Sequence, residues 1–313
     1  MFRNPFARLV LTLLFVVFTA SELRLAAQQA IFRSGTERVT IAVVARDRNN
    51  RPMAGLSAAD FEIVDEGEAR AILDFRSDVS PISVALLLDS SGSMRVGPKM
   101  ERANEVGQLL LATMKERIDE AALFVFDKTV RTAHPFTSEF DRLQSALVSV
   151  RPYGSTSLYD AIAQTARQLA SRPGRRGLVV LTDGVDTSSQ LTAAEVSGIA
   201  SAIDMPVYVV TVGTSMSLSD EAVTPKAEDA SGNLSDLARW SGGTLYRAAS
   251  PAEANIAARQ IVTDLRHQYL IAFEPGSALG WHRIEVRARQ QATLQARNGY
   301  WVGPSNMAPL IPE

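Results

Sequence analysis

Residues 83–88, SVALLL, with Asp89-Ser90-Ser91-Gly92-Ser93 directly after them, constrain this chain more than any other stretch. A near-continuous apolar run of strand length has no polar face to turn to water. It predicts a buried strand, as in a parallel sheet covered by helices. The loop after such a strand lies at its carboxyl end, where open α/β sheets place their ligand crevices. There an aspartate and two hydroxyls stand at alternate positions on a loop that turns through a glycine. Aimed at one centre they suit a hard divalent cation, because such ions take oxygen ligands and Mg²⁺ takes only a few of them from protein.

From Pro81 onward, apolar strands alternate with amphipathic helices. Strands are expected at 83–89, 121–126, 177–182 and 206–212, with a shorter one near 244–248. Helices are expected at 99–115, 138–150, 158–171, 192–203, 233–241 and 252–266. Thr192 with Glu195, and Ser250 with Pro251 and Glu253, have the capping-box spacing that marks a helix start. The fold class is therefore α/β: a Rossmann-like, mostly parallel central sheet flanked by helices. Both flanks read as β instead. Residues 31–80 carry a β-rich core at Arg38–Arg46, a turn at Asn49-Asn50-Arg51-Pro52, and strands at Phe61–Asp65 and Ala71–Phe75 around Glu66-Gly67, a hairpin. Residues 268–302 carry strands at Tyr269–Phe273, Trp281–Arg289 and Arg297–Trp301. A two-stranded piece alone is marginal, so the two flanks are expected to form one small all-β module around an inserted α/β domain, residues 81–267. Residues 214–232 are expected to be a polar surface loop, and 303–313 a frayed tail.

The first residues have a different character. Arg3 and Arg8 precede a 12-residue apolar run, Leu9–Ala20, and Ala26-Ala27 offers small residues for cleavage. A spanning helix needs about 20 apolar residues, so residues 1–27 read as a secretory signal peptide, with an uncleaved anchor as the alternative. Cleavage would leave 29 basic against 33 acidic residues, a net charge of −4. A mildly acidic chain has no electrostatic footprint for nucleic acid. The chain has no cysteine, so an exported form must rely on its core without disulfides.

Two later loops add oxygen ligands to the first. Thr156 lies in Tyr153-Gly154-Ser155-Thr156-Ser157-Leu158, just before a helix, and Asp183 comes directly after the strand Gly177–Thr182. Each piece alone has an ordinary structural role. Serines and aspartates after strands are common helix caps and turn formers. Ser157 with Asp160 has capping-box spacing, Asp183-Gly184 is a common turn, and Asp186 reads as solvated. The conjunction of three loops at one sheet edge outweighs those separate roles. His134, His267 and His282 lack metal-ligand spacing and read as surface or packing residues. Trp240, Trp281 and Trp301 read as core or inter-module contacts, and Arg175-Arg176 as a solvated loop.

DSSGSM at 89–94, GSTSLYDAI at 154–162 and LTDGVD at 181–186 resemble the three metal-site loops of the von Willebrand factor type A domain family. The resemblance spans roughly residues 81–265. The flanking pieces GLSAADFEIVDEG, LRHQYLIAFEP, GWHRIEV and ARNGYW are similar to parts of a bacterial, largely secreted subgroup of such proteins. The resemblance implies a metal-ion-dependent adhesion site. In it Ser91 and Ser93 ligate Mg²⁺ directly, Asp89 and Asp183 hold it through water, and Thr156 ligates in the ligand-bound state. Mn²⁺ or Ca²⁺ are possible substitutes. It also implies a protein partner whose carboxylate completes the coordination.

Three functions remain to be weighed. The first is an exported, Mg²⁺-dependent protein-binding module of adhesion type, secreted or held in the periplasm or cell envelope, and not an enzyme. A metal-assisted hydrolase using Ser91 or a metal-bound water is the second. It needs a positioned base, and no histidine falls in the three loops. The third is an accessory subunit of an envelope or ATPase complex.

Overall fold

The computed structural model describes residues 38–77, 80–172, 174–202, 205–213 and 234–302. The expected signal peptide, the loop 214–232 and the tail 303–313 lie outside them. Among the described residues no helix is long and apolar enough to cross a membrane.

The central sheet has six strands in the order β10-β9-β8-β5-β6-β7. They are β5 (Ile82–Asp89), β6 (Glu120–Phe126), β7 (Val130–Thr137), β8 (Arg175–Thr182), β9 (Val207–Thr211) and β10 (Leu245–Arg247). All neighbours run parallel except β6 and β7. The apolar run of β5 is explained by what covers it. Ile82, Val84, Leu86 and Leu88 face one layer of helices: α1 (Lys99–Thr113), α2 (Phe140–Ser149) and α6 (Pro251–Arg266). Ala85 and Leu87 face the other: α3 (Leu158–Ala170), α4 (Ala193–Ala202) and α5 (234–241). Successive side chains of a strand point to opposite faces, so a strand buried on both sides has no polar position to spare. The expected capping boxes form at α4, where Thr192 and Glu195 bond reciprocally, and at α6, between Ser250 and Glu253.

The flanks form two four-stranded sheets. One runs β13-β1-β11-β4 and the other β14-β12-β2-β3. The N-terminal flank supplies β1 (Val39–Arg46), β2 (Phe61–Asp65), β3 (Glu68–Arg70) and β4 (Ile72–Arg76). The C-terminal flank supplies β11 (Tyr269–Phe273), β12 (Gly280–Ala288), β13 (Thr293–Gln295) and β14 (Gly299–Val302). Antiparallel pairing crosses between the flanks at β1–β11, β1–β13, β4–β11 and β2–β12. Ile41, Val43, Ile63, Ile271 and Phe273 share one core.

Several expectations need correction. The hairpin at Glu66-Gly67 exists, with φ of 50° and 87° as a type I′ turn requires, but its second strand is only Glu68–Arg70. At Ala71 the chain leaves that sheet, and Ile72–Arg76 pairs with β11 in the other. β7 and β13 were not expected. β7 contains Pro135 and lies at the sheet edge, where a missing N–H is tolerated. Arg175-Arg176 is the start of β8 rather than a solvated loop, and the Arg175 guanidinium is bound to the Arg266 carbonyl. Trp281 is 46% exposed, not a core residue.

Candidate metal centre

Three loops converge at the carboxyl ends of β5 and β8. The first leaves Asp89 and passes through a single 3-10 turn, Gly92–Arg95, before α1. Asp89 is fully buried, with Oδ1 accepting from the Ser91 N–H at 2.8 Å and Oδ2 from the Thr182 hydroxyl at 2.6 Å. Both donors are neutral. The Ser91 and Ser93 hydroxyls are hydrogen-bonded to each other, with their oxygens 3.0 Å apart. Two ligands on adjacent corners of a Mg²⁺ octahedron, each about 2.1 Å from the ion, stand roughly 3 Å apart. The spacing therefore fits that ion.

The loops are tied pairwise. Loop one meets loop two where the Gly92 N–H donates to the Gly154 carbonyl at 2.9 Å and the Tyr153 N–H to the Ser90 carbonyl at 2.5 Å. A Cβ on Gly92 would lie 3.3 Å from that carbonyl oxygen, and Gly154 has φ of +97°, so both glycines serve the close approach. Loop one meets loop three through the Thr182–Asp89 bond. Loop two meets loop three at Thr156, whose carbonyl accepts from the Thr187 and Ser188 N–H groups while its own N–H donates to the Thr187 hydroxyl. Asp89, Ser91, Ser93, Thr156 and Asp183 all belong to this tied cluster.

Two acidic residues behave differently from expectation. Asp186 is half-buried and hydrogen-bonded rather than simply solvated. Its Oδ1 accepts from the Leu158 N–H at 2.8 Å and from the Ser189 hydroxyl at 2.6 Å, which caps α3 from the third loop. Ser157 makes no side-chain cap bond, and Asp160 instead accepts from the Gln190 and Leu191 N–H groups. The Ser157–Asp160 spacing thus gives no capping box, and α3 is capped instead from the third loop.

The electrostatics leave room for a cation. Burial is the largest influence on the Asp89 carboxyl. With the charge of Asp183 adding to it, and against the Thr182 and Ser91 hydrogen bonds, it pushes the pKa up to about 6. Asp183 has a partner that the local sequence does not announce. Lys99, at the start of α1, donates to its Oδ2 at 2.8 Å. Nothing around this lysine marks it, since the contact depends on where α1 begins. Among the described residues no group of three or more histidines, aspartates or glutamates is arranged to hold a metal. A cation here would rest on hydroxyls and two carboxylates, the oxygen chemistry of Mg²⁺ rather than the nitrogen and sulfur chemistry of zinc. The described histidines stand elsewhere: His134 on β7, His267 at the end of α6 and His282 on β12.

The comparisons with known proteins bear on the α/β domain. The family model described as von Willebrand factor type A domain matches residues 84–185. No curated protein matches the chain. Similar solved structures include the conserved hypothetical protein BatB from Bacteroides thetaiotaomicron, 22% identical over 58% of this chain and 98% of that one, with a TM-score of 0.48. An aerotolerance-related membrane protein from Bacteroides fragilis is 22% identical over 59% of this chain and 98% of that one, TM-score 0.48. A von Willebrand factor type A protein from Catenulispora acidiphila is 16% identical over 88% of this chain and 77% of that one, also at 0.48. Over residues 84–185, the chain is similar to the von Willebrand factor type A domain family.

Proposed function

We propose that this protein is an exported, Mg²⁺-dependent protein-binding module, not an enzyme, and that it captures an acidic side chain of a partner at the junction of the three loops. The observation that carries the reading is the pair of Ser91 and Ser93 hydroxyls at 3.0 Å, above a fully buried Asp89 with only neutral donors. In this reading Ser91 and Ser93 hold the ion directly. Asp89 and Asp183 hold it through water, and Thr156 closes the site when the partner is present. Bound there, Mg²⁺ offers a position to a carboxylate, with neutral hydroxyls leaving it most of its charge. The buried Asp89 supplies the incentive to bind, because a buried carboxylate without a counter-charge is costly. The Lys99 ammonium shares Asp183 and must tolerate or yield to the ion. Export, to the periplasm, the envelope or the medium, rests on the N-terminal basic and apolar pattern.

Mg²⁺ at a hundredfold excess over its Kd should stabilise the protein by about 2.7 kcal/mol. For a domain of this size that is a rise in Tm of roughly 5–10 °C. A thermal scan in Mg²⁺ against chelator reads it. Asp89→Ala with Asp183→Ala should remove the shift, Ser91→Ala or Ser93→Ala should reduce it, and Asp186→Ala should lower stability without removing it. A shift that survives the double aspartate variant places the metal elsewhere.

A further inference from the structure

Among the described residues nine bulky apolar side chains are conspicuously exposed, and three of them lie on the three loops. Val96 is 66% exposed, Tyr153 78% and Val185 44%. One comes from each loop, and each donates its backbone N–H to a residue of one of the three loops. Val96 donates to the Ser93 carbonyl at 3.2 Å, Tyr153 to the Ser90 carbonyl at 2.5 Å, and Val185 to Asp183 Oδ1 at 3.4 Å. Tyr153 is held by a bond that joins two loops, and Val96 and Val185 by turns within their own loops, so each loop carries one exposed apolar side chain on an ordered backbone, together an apolar rim. Exposed Arg95 sits in the same turn as Val96 and adds a positive charge to the first loop.

Resting on the metal-site reading above, we infer that Val96, Tyr153 and Val185 are specificity residues, and that the partner's acidic side chain is flanked by bulky apolar ones. The complementarity has two parts. A cation at the centre and Arg95 beside it favour one carboxylate over a neutral side chain, which sets orientation and register. Around it, a tyrosine and two valines exclude water from the charged contact, and aromatic anchors of this kind carry much of the energy of small interfaces. A partner with a polar surround would leave the three side chains in water and gain little from them. A single acidic residue in a polar surface loop is thus a poorer occupant than one set between leucines, phenylalanines or their like.

The test uses a displayed library of random short peptides, selected on the intact protein in Mg²⁺ and in chelator. Peptides enriched only in Mg²⁺ should carry Asp or Glu with apolar residues on one or both sides. The Val96→Ser, Tyr153→Ser, Val185→Ser triple variant changes exposed positions only and should keep its Mg²⁺-induced rise in Tm. It should still select acids while losing the preference for apolar neighbours, and a selected peptide should bind it roughly tenfold to a hundredfold more weakly. Enrichment of acids with polar or random neighbours, or unchanged affinity in the triple variant, overturns the rim and leaves the metal site standing. Enrichment of apolar peptides equally in chelator also overturns it, since the rim would then act without the carboxylate. A failure of Mg²⁺ to raise the Tm of the wild type strikes at the metal site itself, independently of any peptide.

Discussion

Asp264→Ala should cost about 3–5 kcal/mol of folding stability, the range expected when one partner of a buried ion pair is removed. The Arg46 guanidinium donates from Nη2 to both carboxylate oxygens of Asp264, at 2.5 and 2.6 Å, and the two side chains are 7% and 0% exposed. Gln260 adds a third donor at 2.9 Å. Arg46 ends β1 in the β module, and Asp264 is on α6 in the α/β layer, so the pair joins the two parts of the fold. Deleting the carboxylate strands a guanidinium where water does not reach, and its planar fork has no substitute acceptor of the same geometry. Urea unfolding at neutral pH measures the loss. Arg46→Met with Asp264→Leu should recover most of it, because the desolvation cost of both charges disappears together. A loss below about 1 kcal/mol in Asp264→Ala, the usual ceiling for a solvated pair, would mean that water reaches the site.

The legible parts of this fold are those where local pattern and tertiary placement coincide. β5 can be read from residues 83–88 because both its faces are buried, and a near-continuous apolar run has few alternatives. β7 cannot, because Val130–Thr137 mixes polar residues with Pro135 and meets a partner on one edge, with two register shifts against β6. The change of sheet at Ala71 is invisible for a related reason: alternation shows which side chains go inward, not which sheet the inward face belongs to. At the loop junction Asp89 and Asp183 stand out because they lie at the carboxyl ends of strands, which fixes their end of the sheet, whereas Thr156 lies between α2 and α3. Lys99 pairs with Asp183 across 84 positions, and Asp186 caps α3 from 28 positions away. Neither contact has a local signature. Ser157–Asp160 shows the opposite hazard, since a capping-box spacing is present but the tertiary bonds from the third loop prevail.

The β module should lose stability as pH rises above about 6.5, because its buried histidine is held as the imidazolium. His282 is buried on β12, with Nδ1 2.9 Å from Asp65 Oδ1 and Nε2 2.8 Å from the Ala278 carbonyl. A neutral imidazole has one donor and one acceptor nitrogen. Here both partners are acceptors, so both nitrogens must carry protons. Burial is the largest influence and opposes the charge, but the Ala278 carbonyl and the Asp65 carboxylate prevail and raise the His282 pKa above its usual 6.5. Burial likewise works to raise Asp65, yet the bonds from His282, from the Tyr300 hydroxyl at 2.9 Å and from the Gly276 N–H at 3.0 Å hold it below the usual carboxylate range. Arg70 Nε adds a bond at 3.1 Å.

The two shifts have opposite consequences. A raised histidine contributes stability that is complete below its unfolded pKa and is lost as pH climbs through the folded one. A depressed aspartate contributes stability that is complete above its unfolded pKa and is lost as pH falls through the folded one. The cluster should therefore be firmest between about pH 4 and 6.5, given the usual values of the two groups. Asp65→Ala should cost about 3–5 kcal/mol at pH 6, since it leaves the imidazolium buried without its counter-ion and the Tyr300 hydroxyl and Gly276 N–H without their acceptor. His282→Gln should flatten the alkaline side of the stability profile while lowering its plateau. Urea unfolding from pH 5 to 9 gives the profile, and the nitrogen shifts of a labelled histidine report both ring protons directly. A His282 that titrates below 6.5, or a wild-type profile flat across that range, would show that the ring is neutral and that one of its two short contacts is not a hydrogen bond.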